Sequence, residues 1–394
     1  MTETPVMPVH VQRDKFDPVP ELARLRQEAP VSRITMPWGT TGWLVTRYED
    51  VRAVLGDATR FSNDPRNRPD VPAGLGGNAE RNGFLLQYDP PDHTTLRRML
   101  TPEFTVRRIR RLQPRIETLV NDHLDAMEGA GRPADLVRDF ALPIPSLVIC
   151  ELLGVPYEDR DEFQSLSVVR LNLALPIEER LNAVTTSRAY MADLVARQRE
   201  NPGDDMIGML IREHGDDLDD SELVGLADLL LIAGHETTSN MLGMGTLLLL
   251  RHPEQAAQMR AGEGVEDAIE ELLRYLSVVH AVMPRTAMTD VELSGQLIGK
   301  GDVVLCSLPA ANRDPELGDD LDTLDIKRKI SAHVAFGHGV HHCLGAPLAR
   351  MEMKVAYPAL LRRFPNLAPA IPFDKIPFRS FSVVYGLESL PVTW

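Results

Sequence analysis

A chain of 394 residues is long enough for one large domain or two to three average ones. With 43% hydrophobic and 25% charged residues it has the composition of a globular protein with a sizeable core, and with only 5% aromatics that core must be mainly aliphatic. A formal charge of -15 disfavours nucleic acid and anionic membrane surfaces as partners.

The first residues, MTETPVMPVHVQRDKFDP, lack the basic start and apolar run of a signal peptide. The cysteines are Cys150, Cys306 and Cys343, an odd and sparse set that argues against a disulfide framework and suits a reducing cytoplasm. Cys150 and Cys306 lie in apolar runs and read as small buried hydrophobes. No low-complexity linker, repeat or composition break divides the chain, so a single domain over 1–394 is expected.

In chain order, Gly42–Arg47 reads as a strand and Tyr48–Leu55 as a short helix. Residues 63–83 carry Asn, Asp, Pro and Gly throughout and read as a long loop. Val106–Met127 has helical spacing. Ile144–Leu153 is a short apolar helix with a stop at Gly154 and Pro156. Two further helices are expected at 158–170 and 178–200. The longest runs from an N-cap at Ser221 to Arg251, ended by His252-Pro253. It is apolar on nearly every face and should be buried, yet it carries Asp228, His235 and Glu236. Gly264–Ser277 is another helix. Val291–Leu293, Val303–Ser307 and the Pro-rich last 25 residues read as strands. The fold class is therefore mainly α with small β-sheets.

Residues 336–345 read Phe-Gly-His-Gly-Val-His-His-Cys-Leu-Gly and fit Phe-x-x-Gly-x-His-x-Cys-x-Gly. Average residue frequencies give a chance match in about one chain in ten thousand, so the match is informative. On these residues alone, three readings stand: a haem-ligand loop, a zinc site using His338, His341, His342 and Cys343, or a buried cysteine in a Gly-rich turn. Further upstream, Glu271-Leu-Leu-Arg274 puts an acid and a base on one helix face. His93 and Arg97 share a face four residues apart. Ala233-Gly-His-Glu-Thr237 interrupts the long apolar helix at its middle.

The cysteine segment resembles the ligand loop of the cytochrome P-450 family, and the other segments fall in that family's order from about Phe16 to Trp394. The resemblance implies a cytochrome P-450 fold with the long helix over a haem b (iron protoporphyrin IX), and Cys343 as axial ligand to the iron. A cysteine thiolate pushes electron density onto haem iron and favours O–O cleavage. Phe336, Gly337 and Gly345 would shape the loop around the sulfur. His93, Arg97, Arg285 and His341 would hold the haem propionates. Glu271, Arg274 and Arg328 would form a structural triad. Ala233 and Gly234 would leave space for O2, Thr237 would hydrogen-bond the bound oxygen, and Glu236 would relay protons. The bland reading of Thr237 is a hydroxyl bonded to the carbonyl four residues earlier.

The implied activity is a monooxygenase that inserts one atom of O2 into a small-molecule substrate, by hydroxylation or epoxidation. The resemblance to actinomycete tailoring members suggests a bulky, partly apolar secondary metabolite such as a macrolide or polyene, in antibiotic biosynthesis. The alternatives are oxidative coupling of a peptide or carrier-bound substrate, and a non-catalytic haem gas sensor. Pro156-Tyr157-Glu158-Asp159 stands where carrier-docking members have Pro-Arg-Asp-Asp, which counts against docking. No electron-transfer module is fused to the chain, so a separate ferredoxin and ferredoxin reductase are expected. The docking surface would combine Arg98, Arg107, Arg108, Arg110, Arg111, Arg350 and Lys354. A monomer with no membrane and no nucleic-acid partner is expected. Substrate contacts are expected from 63–86, 165–186, Leu230 to Thr237, 279–283 and Ser382–Val384.

Overall fold

The computed structural model describes residues 7–35, 39–68, 83–329, 332–379 and 381–394. Most of the 63–83 loop lies outside the described residues.

Helices dominate. They are α1 Pro20–Glu28, α2 Tyr48–Gly56, α3 Asp92–Leu100, α4 Val106–Ala130, α5 Pro143–Leu153, α6 Arg160–Leu171, α7 Ile177–Glu200, α8 Met206–His214, α9 Asp220–Leu250, α10 Pro253–Ala261, α11 Val265–Leu276, α12 Leu308–Ala311 and α13 Ala346–Arg363. The 31 residues of α9 form the central rod, packed against α5, α7, α11 and α13. The cap of α9 is Asp219 rather than the expected Ser221. Asp219 accepts the Glu222 N–H at 2.8 Å, and its own N–H donates to Glu222 Oε2 at 3.3 Å, a reciprocal box that Ser221 has no acid to complete. Pro253, expected as a stop, also opens α10, where its missing N–H costs nothing. Helices α1, α8, α10, α12 and α13 have no counterpart among the expected elements. Among the described residues no helix is long and apolar enough to cross a membrane.

The strands are short. β1 (Arg13–Asp14) pairs with β2 (Asp17–Pro18), and β8 (Val291–Leu293) with β9 (Gln296–Ile298). The main sheet has the order β3 (Val31–Thr35), β4 (Thr41–Val45), β10 (Val303–Cys306), β7 (Arg285–Ala287), β5 (Phe61–Ser62). Strands β4 and β10 run parallel, and the other neighbours are antiparallel. Pairing Val304 with Arg285 sets that arginine in the sheet interior. A third sheet joins β6 (Ala134–Asp135), β11 (Ala368–Pro369) and β12 (Pro391–Thr393). Among the described residues, β12 and isolated bridges at Phe378, Ser382, Val384 and Leu387 realise the strand-like C-terminal stretch.

The long helix explains one of its interruptions here. Asp228 is 1% exposed by its side chain, and Arg170 of α6 meets it in a bidentate pair at 2.7 and 2.9 Å. Ser187 of α7 donates to the same carboxylate at 2.5 Å. Truncating one member of such a pair leaves the other charge buried and bare, so Asp228 latches α6 and α7 onto α9. The α6–α7 connection is pinned further by the Asn172–Ser382 bridge and by the Val383 N–H bonding to Leu171 O at 3.0 Å.

Candidate active site

The cysteine loop is built by its backbone. Gly337 and Gly339 have φ of +72° and +74°. A Cβ at Gly339 would lie 2.4 Å from Leu55 O, so only glycine lets the loop rest on the end of α2. The Cys343 N–H donates to Phe336 O at 2.9 Å and closes the turn. The chain then enters α13 through its N-cap, Gly345. Burial pushes the Cys343 thiol up. The N–H groups of Gly345 and Ala346, with Arg97 and Arg350, pull the other way. The sulfur therefore faces the amino end of α13, where unpaired N–H groups favour a thiolate. Unlike buried Cys150 and Cys306, Cys343 is exposed. It lies deep, yet opens onto accessible space.

Beside the sulfur lies a cluster of buried and half-buried bases that form no ion pair among the described residues. The rings of His93 of α3 and His341 lie 4.1 Å apart between centroids, tilted by 50°. Arg285 is buried, and Arg97 donates to His342 O at 2.7 Å. Both ring nitrogens of His93, both of His341, and Nε and Nη1 of Arg285 lack hydrogen-bond partners. Burial, then Arg97, lower the His93 pKa to about 4; Asp89 opposes this and Arg285 adds to it. Burial, then Arg285, His93 and Arg97, lower that of His341 to about 2; a contact with the Tyr88 carbonyl opposes this without meeting hydrogen-bond geometry. Each buried donor left unmade costs about 1–3 kcal/mol. Carboxylates delivered by a ligand would satisfy all of these groups, and a thiolate next to them offers one strong metal bond. That donor set fits an iron porphyrin with its propionates. It does not fit zinc: among the described residues no group of three His, Cys, Asp or Glu is placed to hold an ion.

The middle of α9 presents Leu230, Ala233, Gly234 and Thr237 as an accessible stripe between buried turns, at helical spacing. The details amend two expectations. A Cβ on Gly234 would lie 2.8 Å from Ile149 Cγ1. The glycine thus lets α9 approach α5, and its missing side chain does not point into open space. Thr237 Oγ1 donates to Ala233 O at 2.8 Å, the bland reading, while the residue stays accessible on the stripe. Glu236 is fully buried. Arg379 meets it at 2.8 Å, Asn240 Nδ2 at 3.2 Å, and His235 Nε2 at 3.3 Å, the last outside hydrogen-bond geometry. Burial pushes its carboxyl up, but His235 and Arg379 outweigh that and hold it at about 2. Glu236 is therefore a paired carboxylate, not a solvent-facing acid. Arg379 has no signal in the sequence, since 143 residues separate the pair.

Below the loop, Glu271 and Arg274 are buried and joined bidentately at 2.8 and 2.9 Å. Arg274 also donates to Asn312 O and Leu321 O, and Arg328 Nε reaches Glu271 at 3.3 Å. The expected triad is complete and fully satisfied. Its neighbour Glu270 carries no signal in the motif. Burial raises its pKa, but Arg350 and His333 together bring it down to about 2. Arg350 pairs with Glu270 at 2.6 and 2.8 Å and lies 4.6 Å from the Phe336 ring centroid, bracing the loop. Arg350 and Lys354 are thus engaged with Glu270 and Glu266, and Arg108 with Glu103. Of the expected docking surface, Arg98, Arg107, Arg110 and Arg111 remain exposed with no ion pair among the described residues.

The family model described as Cytochrome P450 matches residues 175–262 and 264–377. Cytochrome P450 FAS1 of Rhodococcoides fascians is 47% identical, over 100% of each chain. Mycinamicin IV hydroxylase/epoxidase of Micromonospora griseorubida is 42% identical, over 94% of each. The solved structure of P450 StaH from glycopeptide antibiotic A47934 biosynthesis superposes with a TM-score of 0.87 at 46% identity, covering 98% of this chain and 100% of that one. The chain belongs to the cytochrome P450 family, and with it to the monooxygenases that use a haem-iron cofactor.

Proposed function

We propose that the chain binds iron protoporphyrin IX through Cys343 and hydroxylates or epoxidises a bulky, partly apolar secondary metabolite of the macrolide or polyene kind. The observation that carries the reading is the pairing of an accessible cysteine at the amino end of α13 with the orphaned bases His93, His341 and Arg285. The haem would supply oxygen activation. The protein's residues supply the rest. Arg97, Arg285, His93 and His341 hold the propionates. The N–H groups of Gly345 and Ala346 stabilise charge on the sulfur. Phe336, under Arg350, shields it. Ala233, Gly234 and Thr237 wall the space where O2 and substrate meet, and the Thr237 hydroxyl gives up its Ala233 bond to donate there. Glu236 is held ionised by Arg379, so when that pair opens it first takes up a proton from solvent and then passes it on. Two measurements test this. The reduced, CO-bound protein is expected to show the thiolate-type red shift, and Cys343→His to abolish it. Thr237→Ala is expected to uncouple electron use from product, and unchanged coupling would sink the relay.

Oxidative coupling is the second reading, favoured by the likeness to P450 StaH from a glycopeptide pathway. A panel of macrolides, polyenes and carrier-bound peptides, ranked by the shift in the ferric haem spectrum, separates the two. We also propose a separate ferredoxin and ferredoxin reductase as electron donors, docking on Arg98, Arg107, Arg110 and Arg111. Activity with a ferredoxin is expected to fall as salt screens that surface, and salt-independent turnover would rule the surface out.

A further inference from the structure

No motif singles out Arg68, yet it is 2% exposed and its Nε has no hydrogen-bond partner. Its position follows from the sheet. β5 pairs Phe61 with Ala287 and Ser62 with Thr286, so the antiparallel register carries Asn63 toward Arg285. Arg68 returns after one short turn, Pro65–Asn67, and its Nη2 donates to Asn63 O at 3.2 Å. Arg68 is thereby tied to the backbone beside Arg285, and its positive charge opposes that of Arg285, which Asp89 favours. Two acids act on Arg68 in return, Asp64 and Asp89. Asp89 already accepts Ser62 Oγ and the Asn63 N–H, and Asp64 is held by Arg66 Nε and Nη2. Two buried guanidiniums tied to the same stretch of sheet, each with a donor left unfilled, call for an anion with more than one oxygen.

We propose that Arg68 is a second guanidinium for the carboxylate received by Arg285, so that the two arginines share its oxygens from the β5–β7 side. The carboxylate is either a haem propionate or a carboxylate on the substrate. The first source rests on the haem assignment of the proposed function. Arg68 then ties the ligand to the segment that follows β5, and a change at this residue alters how that side holds its ligand.

The test uses the haem-loaded protein with Arg68→Leu, which removes the fork, and Arg68→Lys, which keeps the buried charge. In one arm, haem transfer to excess apomyoglobin is timed. In the other, decanoate and decanamide are titrated against the ferric spectrum. A propionate source predicts haem loss about tenfold faster in Arg68→Leu, partly restored in Arg68→Lys. A substrate source predicts unchanged haem loss and decanoate binding about tenfold weaker, with decanamide unaffected. Variants that fold like the parent by circular dichroism and move neither arm overturn the proposal. The parent's reduced CO spectrum is read separately. A thiolate-type spectrum with silent Arg68 variants defeats this inference alone, whereas a parent that takes up no haem defeats both.

Discussion

Two buried charge clusters stand within one fold and differ in a single respect. In the Glu271–Arg274–Arg328 triad every charged group has partners: carboxylate to two guanidiniums, and guanidinium to the Asn312 and Leu321 carbonyls. In the His93–His341–Arg285 cluster the bases make no ion pair with an acid among the described residues, Asp89 acts on His93 and Arg285 only at longer range, and their nitrogens stand unpaired. Each cluster centres on a buried arginine, Arg274 or Arg285, so burial and residue type do not tell them apart. Satisfaction does. A closed network serves the fold, because nothing further can bind to it. An open one is stable only with a ligand, so it marks where the ligand goes.

The comparison can be broken most sharply at Glu271. Glu271→Ala leaves Arg274 buried and unpaired, with an expected loss of about 3–5 kcal/mol. Thermal unfolding of haem-free protein measures this, and a loss under about 1 kcal/mol would erase the distinction between the two clusters. At the open cluster, Arg285→Leu removes donors that have no partner. The haem-free chain is expected to keep or gain stability, while haem transfer to apomyoglobin speeds up by about ten- to a hundredfold. A destabilised haem-free chain would mean that Arg285 is structural. Arg328→Ala sharpens the contrast inside the triad. Arg328 is partly exposed and its Glu271 contact is long, so about 1 kcal/mol is expected, well below the loss at Glu271.

The smallest expected effect is one of pH. Glu352 of α13 is buried, and desolvation raises its pKa from 4.5 to about 8, with a Thr238 hydrogen bond opposing. The native state therefore holds a proton that the unfolded chain has released. Stability from this group is full below pH 4.5 and is lost as pH rises through 8. Glu236 and Glu270 run the opposite way. Their pKa values are lowered to about 2, so their contribution is full above 4.5 and is lost as pH falls through 2. Glu352→Gln is expected to flatten the decline between pH 5 and 8 in a stability series. An unchanged slope would place the decline on another group.

Much of the fold and the site is legible in local patterns of residues. The cysteine segment, the Glu-x-x-Arg pair with Arg328, the His93 and Arg97 face and the central helix are all of this kind. Their residues fall where the periodicity and the turn chemistry put them. Helix α13 is harder to read, although its buried residues Leu348, Glu352, Ala356 and Leu360 recur at helical spacing. A glutamate in the apolar stripe and an internal Pro358 hide the period. The cap of α9 stands two residues before the expected one, because Asp219 and Glu222 cap each other and Ser221 only looks the part.

What the sequence by itself determined is therefore the ligand loop, the helices with clear periods and the family. The tertiary structure alone decided which charges are answered. Glu270 and Glu271 are neighbours in the chain, yet one braces the loop through Arg350, 80 residues away, and the other anchors the triad. Asp228 finds Arg170 at a distance of 58 residues, and Glu236 finds Arg379 at 143. Gly234 answers to Ile149 on another helix. Local spacing encodes backbone conformation, because hydrogen bonds and sterics act between near neighbours. The partner of a buried charge is set by packing, which brings together residues that no spacing relates.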